Sequence, residues 1–121
     1  MKIFLATKNP GKISEFKEIL SGLSVDLVTC NDLEIPDVEE TGSTFVENAI
    51  LKARSASKTT KLPSIADDSG IEVDFLEGRP GVWSARYAGI DATNDENNLK
   101  LLSELQGVAE NERGACYRCV I

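Results

Sequence analysis

The apolar runs of this chain are short, and two of them open directly into polar groupings of unusual chemistry. Ile3-Phe4-Leu5-Ala6 leads into Thr7-Lys8-Asn9-Pro10-Gly11-Lys12, and Ser64-Ile65-Ala66 leads into Asp67-Asp68-Ser69-Gly70. Runs this short suit buried strands, whereas a membrane-spanning helix needs about 20 apolar residues. Each run reads as a strand that ends in a polar loop. The first loop offers hydroxyl, amide and ammonium groups that suit a phosphate. The second offers adjacent carboxylates that suit a divalent cation. Such a pair of loops points to chemistry on a nucleotide.

Charge narrows the partners. The net charge of −7 argues against nucleic acid, where a basic surface supplies most of the affinity. No membrane partner is expected either. Histidine is absent, which removes histidine-dependent triads and most zinc chemistry. Oxygen ligands remain, so magnesium is the expected cofactor, with manganese as the alternative. Cys30, Cys116 and Cys119 are an odd set in an acidic chain without a signal-like leader. That pattern suggests reduced thiols and a cytoplasmic location. Cys116 and Cys119 are three apart in an alternating run, which places them on opposite faces of a strand. They are expected to be buried or half-buried there rather than to form a redox or metal pair.

The pattern along the chain predicts one domain over residues 1–121. A strand over 2–6 precedes a helix with Ile13, Phe16, Ile19 and Leu20 on one face. A second strand falls in 24–30, and a loop containing Pro36 follows. A longer helix over 44–58 starts at a Thr44/Glu47 capping box. Its Ala49, Ala53 and Ala56, with Ile50, form a face suited to close packing on a sheet. Residues 64–67 make a short strand, and Ile71, Val73 and Phe75 alternate in the next. Glu77-Gly78-Arg79-Pro80-Gly81 is a break. Thr93 and Glu96 cap a third helix carrying Leu99, Leu102 and Leu105, and 115–121 is a last strand. The order specifies an α/β fold, a mixed β-sheet flanked by helices. The chain ends inside that last apolar run, and a further C-terminal part is expected beyond it.

Taken singly, each candidate residue has two readings. Thr7, Asn9 and Lys12 around Pro10-Gly11 suit an anion at a helix N-terminus, or a capping turn with a solvated lysine. Asp67 and Asp68 repel unless a cation or proton intervenes, or they form an Asx turn with Ser69 and Gly70. Glu39 and Glu40 could add metal oxygens or be a solvated acidic loop. Lys52 shares a helix face with Asn48 and Ser55 and could reach a phosphate, or it is solvated. Trp83, Arg86 and Tyr87 shape a loop near a ligand, or the loop packs on its own aromatics.

The four blocks ATKNPGK, EETGSTFVENAILKA, IADDSG and RPGVWSARYAG, in that order, closely resemble the inosine triphosphate pyrophosphatases, the noncanonical purine nucleoside triphosphate pyrophosphatases. The resemblance runs from Met1 to the end. It implies a homodimer with an elongated sheet, two lobes and a central cleft. It also implies magnesium-dependent hydrolysis of inosine, deoxyinosine and xanthosine triphosphates to the monophosphate and pyrophosphate, clearing them from the nucleotide pool. By resemblance, Thr7, Lys8, Asn9, Pro10, Gly11 and Lys12 hold the triphosphate and Ser69 contacts substrate. Asp68 is general base and metal ligand, Glu40 is the second metal residue, and Lys52 assists catalysis on the phosphates. Lys8 departs from the glycine common in the family. Purine-reading segments of the family, Phe-Gly-Tyr-Asp-Pro-like and Ser-His-Arg, do not occur in these residues, so these residues supply the catalytic portion. Two rivals remain at this stage. An aspartate-nucleophile phosphatase would carry Asp-x-Asp where Thr7-Lys8-Asn9 stands. A non-catalytic nucleotide-binding or dimer-partner chain is the other.

Overall fold

The computed structural model describes residues 1–121 in full. The chain divides into two compact units, Met1–Asp67 with Ile121, and Asp68–Val120. The α/β class expected from the sequence is observed. Parallel strands form the sheet of the first unit and antiparallel strands that of the second.

In the first unit, β1 (Lys2–Leu5), β2 (Asp26–Val28) and β3 (Ser64–Ile65) form a parallel sheet ordered β2-β1-β3. Ile3 pairs with Leu27, and Leu5 with Ile65. The central strand is covered on both faces, so the successive residues Phe4 and Leu5 are both 0% exposed, as in other buried parallel strands. Phe4 packs with Ala6, Ile35, Ala56 and Ala66, and Ala53 lies against this cluster.

Helix α1 (Pro10–Leu20) returns the chain to β2, and α2 (Phe45–Thr60) precedes β3. The alanines of α2 allow its close approach to the sheet, as expected, but Ile50 faces solvent. On α1, Ile13 is buried whereas Ile19 is exposed. Apolar spacing identified the helices, but the buried stripe on each is narrower than that spacing suggested.

The α2 capping box is present. Glu47 N–H donates to Thr44 Oγ1 (3.2 Å), and the Glu47 carboxylate accepts from the N–H groups of Ser43 (2.7 Å) and Thr44 (3.3 Å). Thr44→Ala is expected to cost about 1 kcal/mol, read as a lowered midpoint in urea. The Ser43 and Thr44 hydrogen bonds hold the Glu47 carboxyl below the ordinary glutamate range. A depressed folded-state pKa stabilises above the unfolded value of about 4.3. That contribution is expected to disappear as pH falls through the lower folded value. Thermal melts between about pH 6 and pH 3 should show this loss in the parent and a flatter profile in Glu47→Gln.

In the second unit, β4 (Asp68–Val73) pairs antiparallel with β5 (Ala115–Val120), and Glu72 faces Cys116. Val73, Leu76 and Leu105 form its core, supported by Ile71, Leu101 and Val108. Three expectations change here. Asp68-Ser69-Gly70 are strand residues, because pairing with β5 overrides the weak strand preference of Asp, Ser and Gly. Phe75 is exposed: the chain leaves β4 after Val73 into a 3-10 turn, Asp74–Leu76, that buries Leu76 instead. On α3 (Asn94–Glu104), Leu99 and Leu102 face solvent, while Leu101 and the C-cap residue Leu105 turn inward.

The other edge of β4 is closed by a 3-10 segment, Gly81–Arg86. Ile71 N–H donates to Ser84 Oγ (3.0 Å), and Val73 N–H donates to Arg79 O (3.2 Å). A side chain and a turn thus replace a neighbouring strand and blunt the edge.

Candidate active site

The order β2-β1-β3 places β2 on one side of β1 and β3 on the other. In α/β sheets, ligands bind beyond the carboxyl ends of parallel strands where the order reverses in this way. The segment leaving β1 at that end is Thr7–Lys12, and the segment leaving β3 is Ala66-Asp67. Residues from two sequence blocks are therefore delivered to one sheet edge.

They meet there. Lys12 Nζ lies 2.5 Å from Asp67 Oδ2, with side-chain exposures of 27% and 3%. The solvated-lysine reading of Lys12 is thereby replaced by a largely buried ion pair. Asn9 caps α1: its Oδ1 accepts from the N–H groups of Gly11 (2.9 Å) and Lys12 (3.4 Å). Pro10 has no N–H, and Ile13 N–H bonds Asn9 O (3.0 Å). The helix N–H groups expected to face an anion are therefore engaged by Asn9 itself. This capping fixes the Asn9 amide with its NH2 group turned away from the helix as a donor. Thr7 Oγ1 accepts from Asn9 N–H (3.2 Å) and stiffens the turn. Lys8 pairs with Asp37 at 2.5 Å, and that carboxylate raises the lysine pKa. Both groups are well exposed, so the pair contributes little to stability.

A second pair forms on α2. Lys52 Nζ lies 3.5 Å from Glu40 Oε2, with exposures of 18% and 27%. Asn48, one turn before Lys52, is wholly buried, and its Oδ1 accepts from Gly42 N–H at 2.8 Å. Asn48 thus ties the Glu40-Thr41-Gly42 segment to the helix face that carries Lys52. Sequence reading placed Asn48 on that face but missed this role, which depends on a contact between loop and helix. A Cβ on Gly42 would lie 2.6 Å from Asn48 Oδ1 and 2.7 Å from Glu47 Cβ. Gly42→Ala is expected to destabilise by about 1–3 kcal/mol and to loosen Glu40, measured by urea denaturation.

In the second unit, Asp68 is buried at the start of β4, opposite Val120, and Ser69 pairs with Cys119. Asn97, also buried, accepts from Ala88 N–H (2.8 Å) and donates to Ala85 O (3.0 Å). It fastens the Ser84–Gly89 stretch to α3, and nothing in its polar surroundings in sequence marks it for that task. Arg86 stacks over Trp83 at 4.6 Å, and Lys100 over Tyr87 at 4.5 Å. Tyr87 bonds Glu104; burial and that carboxylate push its phenol pKa up. The loop is tied to α3, and Trp83 stays exposed. Cys116 and Cys119 are exposed and form no disulfide, against the expectation of burial, because β5 pairs with a strand on one side only.

No three acidic side chains gather into a ready-made metal cluster. Magnesium, however, is commonly held by one or two carboxylates together with substrate phosphates. Glu40 and Asp68 supply hard oxygen donors of that kind.

The Ham1 family model matches residues 3–121. The chain belongs to the Ham1 family. It is 56% identical over 120 residues to the dITP/XTP pyrophosphatase of Yersinia pseudotuberculosis, a match covering 99% of this chain and 61% of that protein. The dITP/XTP pyrophosphatase of Photobacterium profundum is 52% identical, with the same coverages. A HAM1 protein from Coxiella burnetii has the same fold, with TM-score 0.89, 46% identity, and 99% and 61% of the two chains covered. The Staphylococcus aureus Ham1 protein gives 0.83 at 44% identity, over 98% of this chain and 60% of that one. The chain thus spans about 61% of the length of the curated Ham1 relatives named here. No helix is long and apolar enough to cross a membrane.

Proposed function

We propose that this Ham1 chain acts in the hydrolysis of noncanonical purine nucleoside triphosphates to the monophosphate and pyrophosphate. The supporting observation is the meeting of Thr7–Lys12 and Asp67 at the carboxyl ends of β1 and β3. The relatives named dITP/XTP pyrophosphatase point to deoxyinosine and xanthosine triphosphates, and the sequence resemblance adds inosine triphosphate.

The residues divide the work. The Asn9 amide, the Thr7–Gly11 turn, Lys8 and the Lys12 ammonium bind and orient the triphosphate, and Ser69 adds a hydroxyl contact. Lys52 offsets charge that builds on the phosphates as the anhydride bond breaks. Asp68 orients a water and accepts its proton, so that water attacks directly without a covalent protein intermediate. By the family resemblance, Asp68 and Glu40 would hold magnesium, which would supply neutralisation of phosphate charge. We also assign a homodimer on the strength of the family resemblance and a cytoplasmic location on the odd set of cysteines.

Steady-state assays test this reading. Inosine and xanthosine triphosphates should be hydrolysed to the monophosphate and pyrophosphate, and chelation of divalent cations should stop the reaction. No turnover of any of them, or turnover unaffected by chelation, would defeat the reading.

A further inference from the structure

We infer that Asp67 is a positioning residue for Lys12, holding its ammonium group beyond the carboxyl ends of β1 and β3 for contact with a triphosphate. The inference rests on the nucleotide reading above.

The two residues are 55 positions apart, and their meeting is set by topology. Phe4 pairs with Ser64 and Leu5 with Ile65. Ala6 N–H continues the ladder to Ile65 O at 2.8 Å. Each strand exits immediately afterwards, Asp67 two residues past β3 and Lys12 at the third position of α1. The α1 N-terminus is itself fixed by the Asn9 cap, so Lys12 springs from a rigid base.

Burial argues against a purely stabilising pair. The Asp67 side chain is 3% exposed, and desolvation of a carboxylate consumes much of what its ion pair contributes. The Lys12 end is different: its side chain is 27% exposed. An ammonium has three N–H donors, and one of Lys12's points to Asp67. A buried carboxylate that fixes one donor and leaves the charged end accessible suits a group waiting for an anion. A flexible lysine would lose more rotamer freedom on binding. Asp67 removes that freedom before the ligand arrives.

The test is a double-mutant cycle read by calorimetric binding. The probe is the magnesium complex of an inosine triphosphate analogue with a non-cleavable bridge between the α and β phosphates. Asp67→Asn should weaken binding by about 10- to 100-fold, by analogy with the loss of partners that orient metal-ligating side chains. In a Lys12→Gln background, the same change should alter affinity by less than about twofold, because coupled residues are non-additive. A merely structural Asp67 would lower thermal stability and leave the affinity of the folded protein unchanged. Unchanged affinity, tighter binding, or an equal loss in both backgrounds overturns the inference. If Asp67→Asn does not fold, Asp67→Glu replaces it: the charge stays, the longer arm displaces Lys12, and binding should still weaken. Parent-like affinity in Asp67→Glu overturns the inference. A parent protein that does not bind the analogue defeats the nucleotide reading and this inference with it. Binding by the parent with no response to the Asp67 variants defeats this inference alone.

Discussion

Asp68→Asn is expected to lower kcat by about 10²- to 10⁴-fold while the circular dichroism spectrum stays that of the parent. The substitution keeps the shape of a buried side chain at the first position of β4, where pairing with Val120 runs through the backbone. It removes the charge needed to accept a proton from water, and with it one hard donor for magnesium. The loss should fall on kcat more than on KM, because the phosphate-binding turn and both lysines are untouched. Turnover within a few-fold of the parent, in a normally folded protein, would show that another group is the base.

Phe4→Ala should be the most damaging change to the fold, costing about 3–5 kcal/mol. Total stability for a domain is about 5–15 kcal/mol, so a large share would be lost. Phe4 is wholly buried in the central strand of the parallel sheet, against Ala56 of α2 and Ala66 beyond β3. The alanines around it are too small to close the cavity without moving backbone. The same strand delivers Thr7–Lys12, so activity should fall together with stability. Urea denaturation with an unchanged m-value checks the stability term. A midpoint within error of the parent would mean that the core around Phe4 can collapse.

The parts of this architecture that were legible in sequence are the locally determined ones. The Thr44/Glu47 and Thr93/Glu96 boxes lie within one helical turn, and both are present. The alanine face of α2 was readable because only small residues let a helix lie close to a sheet. What failed required a distant partner. Ile19, Ile50, Leu99 and Leu102 match helical spacing, yet no element covers them within their units. Asp68-Ser69-Gly70 has the composition of a turn and becomes strand only because β5 pairs with it. At the candidate site, the residue types and their blocks were visible, and the pairing was not. Neither Lys12 with Asp67 nor Asn48 with Gly42 follows from any local rule. Asn9 shows both sides: its capping role, one reading of the turn, is observed, and its contact with a phosphate is part of the proposal.

The most direct measurement is a single turnover of magnesium inosine triphosphate in ¹⁸O-labelled water, with the products separated by ion exchange and the protein digested for mass analysis. The account predicts inosine monophosphate and pyrophosphate in equal amounts, with one labelled oxygen in the products and none in the protein. Release of orthophosphate, or label and phosphate retained on the peptide containing Asp68, would contradict it.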